Sequence, residues 1–150
     1  MTADLLPMFH LYDRISKCDS EMLKAEWATQ LTFIVSHGIV VEKLKWPAAV
    51  PLRGEDFLAL QNVRGLVHLN LSETTVEDVD MFHLRLLPGL RALSLRCTRI
   101  TDAGIQHVAK ALPLLESLDL QSTDVTNACS ADLMLLTRLK TLHVACTDIR

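Results

Sequence analysis

The stretch "LRALSLRCTRITDAGIQHVAKALP" opens with Leu90, Leu93 and Leu95, and the same Leu-x-x-Leu-x-Leu frame returns along the chain. Upstream it is Leu66, Leu69, Leu71; downstream it is Leu115, Leu118, Leu120 and then Leu139, Leu142, Val144. A degenerate copy, Val41, Leu44, Trp46, comes before them all. The copies start at 41, 66, 90, 115 and 139, in steps of 25, 24, 25 and 24 residues. One unit of this size cannot bury its own apolar face, so it must stack on its neighbours. The period therefore predicts a row of repeated units sharing one continuous core.

The remainder of each unit keeps the same register. Thr74, Thr98, Thr123 and Thr147 share one position, and Val76, Ile100, Val125 and Ile149 another, two residues later. Helix-start signals follow at Thr101-Asp102, Thr126-Asn127 and, more weakly, Glu77-Asp78. Short polar side chains there accept hydrogen bonds from the free N–H groups of a first helical turn. Ile105, Val108, Ala109 and Leu112 have the spacing of one helix face, and Pro88 and Pro113 end two such helices. The Leu residues of the frame should meet their counterparts in neighbouring strands, about 4.8 Å away. The stiff Thr column should bond backbone groups of the adjacent turn.

This pattern resembles the leucine-rich repeat family over roughly residues 38–150, in particular its cysteine-containing subtype with "ITDAGI"-style loops. Thr stands here where that subtype has Asn or Cys in its ladder. The resemblance implies an α/β right-handed solenoid, with a parallel sheet on the concave face and short helices on the convex face. It implies about five repeats, the first degenerate and the last incomplete. It also implies non-catalytic protein–protein interaction, as an adaptor or as a structural subunit of a larger assembly.

Residues 1–37 carry no repeat frame. Met8, Leu11, Tyr12 and Ile15 form one helical stripe after Pro7; Leu23, Trp27, Leu31 and Ile34 form a second, begun at Asp19 or Ser20 and closed by Gly38. The first repeat of a solenoid exposes an apolar end, so these helices read as its N-terminal cap. A second reading stays open. Leu6-Pro7 followed by Trp27 and Leu31 faintly resembles an F-box, which would make the chain a substrate-receptor adaptor of a ubiquitin ligase. The acidic residue expected after Leu-Pro is missing.

Strand residues alternate faces, so the positions between the frame residues should line the concave surface. They are Lys43, Lys45, His68, Asn70, Ser72, Ala92, Ser94, Arg96, Ser117, Asp119, Gln121, Thr141, His143 and Ala145. The face is polar and lacks the aromatic anchors that dominate tight interfaces. It reads as a surface for another protein, with a merely solvated sheet face as the alternative. At the other end, Leu142, Val144 and Ile149 have no following repeat in the sequence. That open end is expected to be covered by a second subunit, or by self-association.

The search for chemistry finds little. His68 and His143 would lie three strands apart, about 14 Å. Cys97 and Cys146 would be about 10 Å apart, beyond disulfide reach. Cys18 with His10 forms a dyad on paper only. No catalytic motif, metal set or cofactor is expected. The net charge of −3 argues against nucleic acid or anionic lipid as a partner. No apolar run approaches the roughly 20 residues that span a bilayer. The start lacks a basic, then apolar, leader, and the four scattered cysteines do not form a secreted framework. An intracellular, reducing compartment with free, mostly buried thiols is expected, the cytoplasm first.

Overall fold

The computed structural model describes residues 20–149, with side chains from Ala25 onward. Leu6, Pro7, Met8, His10, Leu11, Tyr12, Ile15 and Cys18, and with them one half of the F-box resemblance, lie outside the described residues.

Five short strands form one parallel sheet in chain order: β1 (Lys43–Lys45), β2 (His68–Asn70), β3 (Ala92–Ser94), β4 (Ser117–Asp119) and β5 (Thr141–His143). The register follows the sequence period. Leu44, Leu69, Leu93, Leu118 and Leu142 stand opposite one another across the sheet. Leu44, Leu69, Leu93 and Leu118, with the third frame residues Trp46, Leu71, Leu95 and Leu120, are buried in one core, while Leu142 is part-exposed. Each buried Leu contributes about 1.5–3 kcal/mol through burial. The stacked frame is thus the main source of stability.

The opposite side carries helical segments. These are α2 (Gly54–Leu60), α3 (Asp78–Met81) continued by a 3-10 turn (Phe82–Leu86), α4 (Asp102–Ala111), and a 3-10 turn (Asn127–Cys129) leading into α5 (Ser130–Leu133). Of these, α4 is the longest, and it buries Ile105, Val108 and Ala109. Thr101 caps it, its side chain accepting from the Ala103 N–H. The architecture is the expected open α/β array of parallel strands with short helices behind them. In α1 (Ser20–Ser36), Trp27, Leu31 and Ile34 are buried. Trp27 meets Trp46 edge-on, with ring centroids 5.4 Å apart, and Trp46 Nε1 donates to the Val50 carbonyl at 2.8 Å. Beyond the helix, Gly38 takes φ +61°, a conformation that favours glycine.

Two expectations are corrected. The Thr hydroxyls do not bond the adjacent turn. Thr74, Thr98, Thr123 and Thr147 each donate back three residues, to the carbonyls of Leu71, Leu95, Leu120 and Val144, at 2.5–2.7 Å. The links between turns are made by backbone instead. Glu73, Cys97, Ser122 and Cys146 follow the strands with φ of 55–63°. The N–H groups of Glu73, Cys97 and Ser122 donate to the carbonyls of Arg96, Gln121 and Ala145 in the next turn, at 2.8–2.9 Å. The left-handed residue turns its amide along the solenoid axis, which leaves the Thr hydroxyl to satisfy its own turn. The same geometry corrects the thiols. Cys97 and Cys146 sit at this turn position and are exposed, while Cys129 is buried.

Candidate binding face

Strand alternation puts Lys43, His68, Ala92, Ser117 and Thr141 in one row, and Lys45, Asn70, Ser94, Asp119 and His143 in the next. Lys43, Lys45, Arg96, Thr141 and His143 are exposed; His68, Asn70, Ser94, Ser117, Asp119 and Gln121 are half-buried between their neighbours. Ser72 departs from the expectation. It is buried, with its hydroxyl 2.8 Å from that of Ser94, so little of it is left to offer a partner. Ser94 Oγ donates in turn to Asp119 Oδ2 at 3.3 Å.

Asn70 and Asp119 also serve the backbone. The Asn70 side-chain oxygen accepts the Ser72 N–H at 2.8 Å, and Asp119 Oδ1 accepts the Gln121 N–H at 3.0 Å. Each such side chain tightens the exit from its strand. The face is therefore a set of side chains held in columns by the sheet below them and by each other.

A third row escaped the sequence reading. Arg91 Nη1 donates to Glu116 Oε1, and Lys140 Nζ to Glu116 Oε2 at 2.7 Å. Hydrogen bonds from Lys140, then Arg91, hold the Glu116 carboxyl below its ordinary value. The signal was present as alternating charge at one repeat position. A second unforeseen ladder lies behind the sheet. Asp78 accepts from the N–H and hydroxyl of Thr101 at 2.9 and 2.6 Å. Asp102 does the same for Thr126 at 2.8 and 2.7 Å. Burial pushes the Asp102 carboxyl up, but hydrogen bonds from Thr126 and Cys129 together pull it below its ordinary value.

No three His, Cys, Asp or Glu side chains among the described residues are grouped to hold a metal ion. A cleft of about 490 Å³ lies between α1 and α2, lined by Trp27, Leu31, Val50, Arg53 and Asp56 among others. Burial raises the pKa of Asp56, but the side chains lining the cleft include no Ser, Cys or His to pair with it. At the far end, Leu142 is 38% exposed where Leu118 is 0%; Val144 and Ile149 are half-buried. No helix among the described residues is long and apolar enough to cross a membrane.

A family model described as "Leucine Rich repeat" matches residues 89–109, the stretch from the β3 frame through α4. That stretch carries a leucine-rich repeat. The crystal structure of an internalin from Listeria monocytogenes is similar, with 25% sequence identity and a TM-score of 0.51. The match covers 67% of this chain and 26% of that one, so this chain accounts for about a quarter of the internalin's length. No curated protein matches the sequence. A leucine-rich repeat array is a protein–protein interaction module.

Proposed function

We propose that this protein is a non-catalytic interaction module, an adaptor or a structural subunit, that holds another protein on its concave sheet face. The observation that carries this reading is the paired register of five strands, which fixes two rows of polar side chains over one rigid surface. A preformed surface binds without the ordering cost that a flexible one incurs. With no Phe, Tyr or Trp in those rows, specificity rests on hydrogen bonds and charge. The outer edge of β5 has no strand paired to it among the described residues, so the reading includes a second contact there, with a further strand or a second copy. It also includes a reducing intracellular setting, in keeping with the free thiols of Cys97, Cys129 and Cys146.

A photo-crosslinking residue placed at Ser117 on the sheet face, and in a separate variant at Gln106 on α4, tests the reading in native extract. Capture of one defined protein from Ser117 and not from Gln106 is expected. Arg96→Glu should then weaken that complex while leaving the melting temperature nearly unchanged, since exposed charges contribute little to folding. Capture from Gln106 alone would move the interface to the helices.

A further inference from the structure

The concave face differs in charge from the chain that carries it. We propose that its partner is acidic: a protein segment whose carboxylates lie over Lys43 and Arg96. This rests on the reading of the concave face as the binding surface, and adds the chemistry of what binds there.

The whole chain has net charge −3. On the sheet face, Lys43, Lys45, Arg91, Arg96 and Lys140 outnumber Glu42, Glu116 and Asp119 by two. Two of the three acids are already engaged. Glu116 is shared between Arg91 and Lys140, a cluster that stays net positive. Asp119 accepts from the Gln121 N–H and the Ser94 hydroxyl. By contrast, the Lys43 ammonium and the Arg96 guanidinium are exposed and make no hydrogen bond or ion pair among the described residues. Arg96 lies at the exit of β3, where its planar fork can take a carboxylate through two parallel bonds.

Two strand spacings separate β1 from β3, about 10 Å. Acidic side chains that distance apart are about seven residues apart on a helix, or about three on an extended chain. Both are ordinary spacings for a protein segment. A nucleic-acid backbone fits less well, because its continuous row of phosphates would run over Glu42, Glu116 and Asp119. Without aromatic anchors the interaction should be fast and sensitive to salt.

Amide chemical-shift titrations of the isotopically labelled protein test this with three probes: a short Glu-Ser repeat peptide, its Lys-Ser counterpart and a short single-stranded DNA. The Glu-Ser peptide is expected to shift amides of residues 43–45, 68–70 and 92–96. Lys43→Glu/Arg96→Glu should weaken it by about tenfold or more, a loss of about 1.4 kcal/mol, while Lys110→Glu on α4 should not. Should the reversal unfold the protein, Lys43→Gln/Arg96→Gln carries the same test with a loss of about threefold. If the Lys-Ser peptide shifts those amides instead, the acidic partner is overturned and the concave surface stands. Shifts from the Glu-Ser peptide confined to the helices overturn both. Tighter binding of the DNA, or no shift from any probe, overturns the acidic partner.

Discussion

A methyl group added at Gly104 would lie 2.4 Å from Asp78 Oδ1 and 2.8 Å from Ile100 Cγ2. The Asp78 carboxylate cannot step aside, because it holds the N–H and hydroxyl of Thr101. Gly104→Ala should therefore destabilise the protein by about 1–3 kcal/mol, as overpacking does, seen as a lower melting temperature. One repeat later the equivalent residue is Cys129, where the chain turns as a 3-10 helix and the thiol donates to the Thr126 carbonyl. Burial, then the neighbouring Asp102, pushes its pKa up to about 11. Thiolate is the reactive form. Iodoacetamide at neutral pH should modify the exposed Cys97 and Cys146 long before Cys129, as mass spectrometry would show. Equal rates would mean that α5 opens freely. Asp102 itself gives a pH dependence. Its folded pKa lies below the unfolded one, so its contribution is full above about pH 4 and fades as pH falls through the folded value. Asp102→Asn should lower stability by about 1–2 kcal/mol at neutral pH. The difference from the unsubstituted protein should shrink in acid, as denaturant melts at several pH values would record.

At the scale of elements, the strands were legible and the connections less so. Leu-x-x-Leu-x-Leu at a steady period constrains face, direction and register together, since a slip of one residue would turn every Leu outward. Segment α2 carried no comparable signal. It is seven residues long, follows Pro47 and Pro51, and has Arg53 at its N-cap, whose N–H is satisfied by Asp56 at 2.7 Å. Its anchors are two buried side chains, Phe57 and Leu60. The rows of the sheet face were readable from alternation. The closure of Ser72 was not, because it depends on a hydroxyl 22 positions away in the sequence. The weight placed on the strands can be measured. Leu118, wholly buried between β3 and β5, should cost about 2–5 kcal/mol when cut to Ala. Leu142→Ala, in the same row but part-exposed, should cost clearly less. Equal losses in chemical denaturation would place the two leucines in equivalent surroundings.

At the scale of the whole molecule, the described strands pair in chain order, so stability should vary along the stack. Trp27 and Trp46 close one end of the core, whereas Met134, Leu135 and Leu142 remain exposed at the other. Inside the stack, each strand hands an amide to the next at 2.8 Å: Leu71 to Ser94, Leu95 to Asp119, Leu120 to His143. The most direct measurement of the central claim, that repeat stacking builds the polar face, is residue-resolved hydrogen exchange on the isolated protein. Protection should recur with the repeat, strong at the amides of Leu71, Leu95 and Leu120 and of the turn residues Glu73 and Cys97. It should fall at residues 141–144, whose strand has one paired neighbour among the described residues. Slow exchange in blocks unrelated to the 24–25-residue period, or strands that exchange as fast as the exposed turns around them, would contradict the stacked sheet and the binding face built on it.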